Sequence, residues 1–175
     1  MHLARMLKHL LIPHWMALRA YPSATLKRIE QAIADSEKQH RGELRFAVED
    51  GLHLHDLLRD RTSRQRAEAV FSQLRVWDTE ENSGILIYVQ LVDRRIEIVA
   101  DRGIARKVGQ AQWDAVCRAM ESSFKQGKFE GGALQGIEHI TRILARHFPP
   151  RGDNPNELPD KPRSEERRVG KECRL

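Results

Sequence analysis

The chain has 175 residues, of which 30 are lysine or arginine and 25 are aspartate or glutamate, so its formal net charge at neutral pH is +5. This length suits one domain of ordinary size and an irregular tail. The positive excess lies mainly in the last residues, and no basic face with interleaved aromatic residues occurs elsewhere, which argues against a nucleic-acid-binding protein.

Residues 1–22 form an amphipathic N-terminal segment, in which leucine, methionine and tryptophan alternate with Arg5, Lys8 and Arg19. Two interpretations stay open: peripheral contact with a membrane surface through residues 1–20, or packing onto the protein's own domain or a partner. The segment has no cleavage site of a signal peptide, and no apolar run reaches the length of a membrane span. The chain has two cysteines, and their spacing does not suggest disulfides, which fits a reducing compartment. Together these features predict a cytoplasmic protein. If the N-terminal segment contacts a membrane, the protein would be peripheral to the inner membrane.

The domain proper is predicted to span residues 23–148 and begins with a helix over residues 25–40, capped by Ser23 or Thr25. A strand follows over residues 43–50, where Leu44, Phe46 and Val48 alternate with polar residues. Residues 52–74 return to helical spacing, broken near residues 61–63. Such a crossover predicts that the first strand runs parallel to the second.

The second and third strands are predicted over residues 85–91 and 95–101, joined by a tight turn at Val92-Asp93-Arg94, so they form a β-hairpin. Two amphipathic helices follow, over residues 111–126 and 130–147. The fold class is therefore α/β with a small mixed sheet, in the order helix, strand, crossover helix, β-hairpin and two C-terminal helices. The pattern does not decide whether the domain has two layers or three.

Residues 149–175 are rich in proline and charge and carry almost no core residues, which predicts a disordered tail. The final R-S-E-E-R-R-V-G-K-E-C-R is also similar to an end found appended to unrelated bacterial gene models. Whether residues 164–175 are native or an assembly artefact stays open.

Oxygen-bearing side chains collect at one end of the predicted sheet. Parallel and antiparallel pairing bring the loop before the second strand, the start of the first and the end of the third to this end. The candidate metal ligands are Asp78, Glu81, Asn82 and Asp101, with Glu43 as a weaker one. Carboxylate and amide oxygens suit Ca²⁺ or Mg²⁺, and such a metal could activate water. No organic cofactor is predicted.

The same residues also have a purely structural interpretation. The glutamates of the loop would solvate the entry to a strand, Asp101 would cap a short helix beginning near Ile104, and Glu43 would pair with Arg45 or a neighbour. Taken residue by residue, the pattern favours this structural alternative.

Four segments in order resemble the TPM domain, which occurs in plant thylakoid-lumen and photosystem II repair proteins and in many bacterial proteins. They read G-E-L-R-F-A-V-E, F-S-Q-L-R-V-W-D-T-E-E-N-S-G-I-L-I-Y-V, R-R-I-E-I-V-A-D-R-G-I and F-K-Q-G-K-F-E-G-G-A-L-Q-G-I, within residues 25–148. The chain resembles a short bacterial form without a signal peptide or C-terminal membrane helix. The resemblance implies an α/β/α sandwich, and in parts of the family a phosphatase activity or divalent-metal binding.

Carried over by position, the family's loop corresponds to Asp78, Glu81, Asn82 and Gly84, and the end of the third strand to Asp101 and Gly103. Where relatives often carry G-x-G-L-E, this chain has A-D-R-G-I, so a glutamate is missing and Arg102 adds a positive charge.

Two hypotheses follow, and whether the protein is an enzyme is left open. In the first, the domain is a non-catalytic interaction module for envelope or quality-control proteins, with an acidic end that is structural or binds a divalent metal. In the second, it is a metal-dependent phosphatase, a phosphoester hydrolase in which Arg102 or Arg45 steadies the phosphate. The absence of a nucleophile or histidine base in the cluster favours the first, which also predicts an unidentified protein partner.

Overall fold

The computed structural model describes residues 19–52, 54–152 and 155–165. The elements, in chain order, are α1 (Ser23–Glu37), β1 (Glu43–Glu49), α2 (Leu54–Leu58), α3 (Ser63–Gln73), β2 (Gly84–Gln90), β3 (Arg95–Ala100), α4 (Arg102–Ala105), α5 (Gln110–Lys125), α6 (Phe129–His147) and β4 (Arg163–Glu165). The predicted helix, strand, helix, hairpin and helix-pair order is confirmed. Residues 1–18, which hold most of the predicted amphipathic segment, lie outside the described residues.

The four strands form one mixed sheet in the order β3-β2-β1-β4. The predicted parallel pairing of β1 with β2 is confirmed, with Glu43 opposite Gly84. The hairpin is also confirmed, since β3 runs antiparallel to β2 and Ala100 lies opposite Ile85. The register therefore places the start of β1, the start of β2 and the end of β3 at one end of the sheet, called here the amino end.

Helices cover both faces of this sheet, so the α/β/α sandwich is confirmed. One face carries Leu44, Phe46, Ile85 and Ile87 into a large core shared with α1, α5 and α6. The other face carries Leu86 and Tyr88 into a smaller core shared with α3. Because strand side chains alternate between faces, the near-continuous apolar run of β2 supplies both cores.

Local sequence signals explain where the crossover helix begins. Thr62 accepts a hydrogen bond from the Gln65 N–H, and the Gln65 side chain accepts one from the Thr62 N–H. This reciprocal pair is a capping box, and it starts α3 after the break predicted near residues 61–63. At α1 the predicted caps are wrong: Pro22 occupies the N-cap position, and its extended backbone starts the helix without a side-chain hydrogen bond.

Two further expectations differ from the structure. β1 is predicted as a strand with one polar face, yet all seven residues of the strand are buried. The reason lies in the tail predicted to be disordered: within residues 155–165, Leu158 packs into the smaller core, and β4 pairs in parallel with β1. The proline and charged residues of this segment are typical of disorder, so its composition did not predict a strand that is stabilised by backbone pairing. Residues 166–175 lie outside the description.

None of the described helices is long and apolar enough to cross a lipid bilayer.

Candidate functional site

The loop that enters β2 is fixed by short-range hydrogen bonds. Asp78 N–H donates to the Arg75 carbonyl at 2.9 Å, and the buried Thr79 hydroxyl accepts from Ser83 N–H at 2.9 Å. Arg75 and Asn82 adopt the left-handed backbone conformation, each with φ of 52°. Asparagine tolerates this conformation, and the loop is therefore a specific turn rather than a flexible linker.

Two glycines allow backbone segments to meet at this end of the sheet. A Cβ on Gly84 would lie 1.8 Å from the Val76 carbonyl oxygen, and one on Gly103 would lie 2.3 Å from the Glu81 carbonyl oxygen. Gly103 N–H donates to the Asn82 carbonyl at 3.0 Å. These close approaches place the loop directly beside the end of β3, as the sequence predicted.

Asp101 caps the short helix α4. One carboxylate oxygen, Oδ1, accepts from the Arg102 N–H at 2.7 Å, and the Asp101 N–H donates to the Gly84 carbonyl at 2.9 Å. The other oxygen, Oδ2, is buried and has no hydrogen-bond partner among the described residues. The structural role predicted for Asp101 is confirmed, and one oxygen stays available beyond it.

Arginines hold the other two members of the cluster that lie near Asp101. Arg102 Nε donates to Asn82 Oδ1 at 2.6 Å, and Arg41 forms a close ion pair with Glu81. Arg151 Nη1 lies 3.3 Å from the same Glu81 oxygen. Glu81 and Asn82 are therefore already engaged by arginine side chains, whereas Asp101 Oδ2 is not.

Sequence reasoning missed Arg41 and Arg151. A signal for Arg41 was present: it stands two residues before β1, and parallel pairing places that position beside the loop that enters β2. Arg151 lies in the segment predicted to be disordered, so no contact was expected from it.

Glu43 and Arg45 lie apart from this group because β2 separates their strand from β3. Two strand spacings amount to about 9 to 10 Å. The Glu43 Oε2 atom accepts from the Leu158 N–H at 3.1 Å, and burial raises the pKa of this carboxyl. Arg45 is 7% exposed, and burial lowers its pKa. The carboxylates that raise its pKa are Asp160 and Glu37, and β2 lies between Arg45 and Asp101, so the structure gives Arg45 no part in a site around Asp101.

The residues present do not fit a divalent cation in this arrangement. Calcium takes six to eight oxygen ligands, and magnesium demands six in near-octahedral geometry. Within the described ranges, no three aspartate, glutamate, histidine or cysteine side chains come together as they would around an ion. Asp101 Oδ2 alone is too few, because Asn82 and Glu81 are bound to arginine. The candidate ligands and the choice of Ca²⁺ or Mg²⁺ stay predictions.

A second charged group, at the carboxyl ends of β1 and β2, was not predicted. Arg66 donates to both oxygens of Glu49, at 2.8 and 2.6 Å, and the Tyr88 hydroxyl donates to Glu49 Oε2 at 2.7 Å. All three side chains are buried, and burial raises the pKa of Tyr88. A fully paired, bidentate arrangement of this kind stabilises a packing geometry and offers no vacant position to a substrate.

Comparison with known proteins identifies the architecture. A family model described as the TPM domain matches residues 22–143. No curated protein matches the chain.

The solved structures that resemble it include two bacterial proteins. The NMR structure of the BA42 protein from the psychrophilic bacterium Bizionia argentinensis has 34% sequence identity and a TM-score of 0.73, over 82% of this chain and 94% of that one. The N-terminal domain of a protein from P. gingivalis has 14% identity and a TM-score of 0.59, over 71% of this chain and 76% of that one, a likeness of fold alone.

Proposed function

Since this chain belongs to the TPM domain family, we propose that it acts as a non-catalytic interaction module rather than as a phosphoester hydrolase. The observation that carries the proposal is the pairing of Glu81 with Arg41 and of Asn82 with Arg102. A hydrolytic site needs these oxygens for a metal, or a base and a nucleophile placed at reacting distance.

His40, which stands three residues before β1, is unsuited to act as a base. His40 Nε2 lies 2.8 Å from the Ser36 hydroxyl, and His40 Nδ1 accepts from the Gly42 N–H at 3.2 Å. Burial lowers its pKa to about 4, and its side chain is fully enclosed. Both ring nitrogens are therefore already hydrogen-bonded within the end of α1 and the segment that joins it to β1.

The surface that supports partner binding is the exposed part of the loop, Trp77 to Glu80. Trp77 is 49% exposed, although a large aromatic side chain gains most from burial. Asp78 and Glu80 beside it are exposed and acidic. Tryptophan is enriched among residues that dominate binding energy, and a rigid loop loses little entropy when it binds. We infer a protein partner that offers an apolar recess with basic residues at its rim.

The partner's identity and its place among envelope or quality-control proteins stay predictions from the sequence. So do a cytoplasmic location and membrane contact through residues 1–20.

Hydrolysis of p-nitrophenyl phosphate tests the non-catalytic part of the proposal. The full chain, with Ca²⁺ or Mg²⁺ in excess, is expected to release nitrophenol at the rate of the buffer with metal alone. Asp101→Asn is expected to behave identically. Metal-dependent turnover that disappears in Asp101→Asn would overturn the proposal in favour of the phosphatase alternative.

Affinity capture tests the interaction surface. Wild-type protein, Trp77→Ala and Leu58→Ala serve as baits, because Leu58 is the other large apolar side chain exposed among the described residues, at 68%. A partner bound through the loop should be lost with Trp77→Ala and kept with Leu58→Ala. A partner retained equally by both variants would show that another surface mediates binding.

A further inference from the structure

A cavity of about 510 Å³ opens at the carboxyl end of the sheet, opposite to the site predicted from the sequence. Val89, Gln90 and Leu91 line it at the end of β2, and the turn between α5 and α6 closes its other side. Ligands of open α/β sheets bind outside the carboxyl ends of the strands, and small-molecule sites measure about 300 to 1,000 Å³. Position and size both suit a small ligand.

The charge around this carboxyl-end cavity has one sign. Arg19, Arg94 and Lys125 line it, all three are exposed, and no aspartate or glutamate is among the described lining residues. None of the three side chains has a carboxylate partner in the described part of the chain. Like charges gathered without a partner repel one another, and a bound anion would relieve this.

The interior of the cavity is apolar and aromatic. Phe124 and Phe129 line it with ring centroids 5.4 Å apart, and Tyr21 packs on both, at 6.3 and 6.0 Å. The Tyr21 hydroxyl is buried and has no hydrogen-bond partner among the described residues. A ligand in this space would therefore meet carbon surface inside and positive charge at the opening.

The start of α6 adds to the positive potential. This helix of 19 residues begins at Phe129, and its N-cap residue, Lys128, provides no side-chain cap. The helix dipole favours an anion at this end, and the carboxylate in the first turn, Glu130, is paired with Arg28. Gly127 and Phe129, on either side of the N-cap residue, both line the cavity.

We propose that the carboxyl-end cavity binds a small amphipathic anion, a carboxylate with an apolar chain, whose charged group lies between Arg19, Arg94 and Lys125 and whose chain lies against Phe124 and Phe129. This site is separate from the loop proposed to bind a protein partner. Its failure would leave that proposal untouched.

Isothermal titration calorimetry of the full chain tests the site, with decanoate below its micelle concentration as the probe. One decanoate is expected to bind per chain. Decanol, which lacks the charge, and inorganic phosphate, which lacks the chain, should each bind at least about tenfold more weakly, the factor that one charge-assisted contact provides. These three titrations need no variant.

A matched pair of double variants then locates the site. Arg94→Gln with Lys125→Gln removes two lining charges and is expected to weaken decanoate binding about tenfold or more. Arg106→Gln with Arg118→Gln removes two exposed charges that do not line the cavity and should change it by less than about twofold, because salt screens a charge that does not contact the ligand. Absence of decanoate binding, equal loss in both double variants, or phosphate binding as tight as decanoate would overturn the proposal.

Discussion

The two ends of the sheet carry charge in opposite ways. At the amino end, two of the side chains that attract attention in the sequence, Glu81 and Asn82, are paired with Arg41 and Arg102. At the carboxyl end, arginine and lysine surround an apolar cavity without carboxylate partners among the described residues. A cluster of ionisable residues in a sequence therefore indicates a binding site only where the fold leaves its charges unpaired.

A second contrast lies within the carboxyl end itself. Glu49 lies opposite Gln90, which lines the cavity, yet Glu49 and Arg66 are buried and satisfy each other. Buried pairs of this kind contribute to stability only while both partners are present. Charges that hold the fold should therefore respond to mutation differently from charges on the surface.

The largest effect is expected from breaking the buried pair. Arg66→Met leaves Glu49 without this cation in a buried position, and Asp56 Oδ2 also loses a cation 3.9 Å away. We expect the free energy of unfolding to fall by about 3 to 5 kcal/mol, the range for an uncompensated buried charge. Urea unfolding measures it.

The matched control is Arg142→Met, which removes an exposed arginine 3.6 Å from Glu138. This change should cost less than about 0.5 kcal/mol, as exposed pairs do. Similar losses for both variants would contradict the distinction between buried and exposed pairs.

The next effect concerns the amino end. Gly84→Ala places a Cβ 1.8 Å from the Val76 carbonyl oxygen, so the loop must move away from β2. We expect a loss of about 3 kcal/mol, at the upper end for overpacking. Thermal unfolding by circular dichroism measures it.

Gly131→Ala serves as its control, because a Cβ there meets nothing within 4 Å and the residue lies in α6. That change should stabilise the protein by about 0.5 to 1 kcal/mol, the usual gain of alanine over glycine in a helix. A Gly84→Ala protein as stable as wild type would show that the loop is not held against the strand.

A smaller effect depends on pH. Burial raises the pKa of Glu37 from its usual value near 4.5 to about 9. The folded state then holds a proton that the unfolded state releases, so this group's contribution is complete below pH 4.5 and is lost as the pH rises towards 9. Glu37→Gln keeps an oxygen to accept from the Leu44 N–H without titrating.

The difference in stability between Glu37→Gln and wild type should therefore grow in favour of the variant by at least about 1 kcal/mol between about pH 5 and about pH 8. Urea unfolding at both pH values measures it. His40 also contributes to the pH dependence, because its lowered pKa means that stability is lost as the pH falls through 6.5 towards 4. This contribution is the same in the variant and in wild type, so it cancels in the difference between them. A difference that does not change with pH would show that Glu37 is ionised throughout.

The smallest effect is expected at Arg102. Its bond to Asn82 is exposed to solvent, so Arg102→Gln should change the free energy of unfolding by less than about 1 kcal/mol in urea unfolding. A loss as large as that of Arg66→Met would mean that Arg102 holds the loop as a buried group would.

Local patterns predicted most of the fold. The apolar run of β2, the helical spacing of α5 and α6 and the turn at Val92-Asp93-Arg94 act over few residues, and the structure confirms them. Strand order followed from the crossover and the hairpin. The segment over residues 155–165 could not be foreseen, because its contacts with β1 are backbone pairing and one buried leucine, Leu158.

The candidate site was predicted in position but not in chemistry. Topology placed Asn82 beside the end of β3, and the structure confirms that neighbourhood. Parallel pairing indicates that Arg41 lies beside the loop that enters β2, but whether its side chain binds Glu81 depends on rotamers, which no sequence pattern gives. The cavity is a space left between packed elements, and hydrophobic periodicity in the sequence does not predict such spaces.

The central claim, that arginines engage Glu81 and Asn82 and leave too few free oxygens to hold a metal, is tested most directly by titrating Ca²⁺ and Mg²⁺ against thermal unfolding of the full chain. A true site at a hundredfold excess over its dissociation constant adds about 2.7 kcal/mol, which is roughly 5 to 10 °C for a domain of this size. We predict a shift below about 1 °C, within the small effect of ionic screening. A shift near the larger value that is lost in Asp101→Asn would contradict the account and establish a metal site.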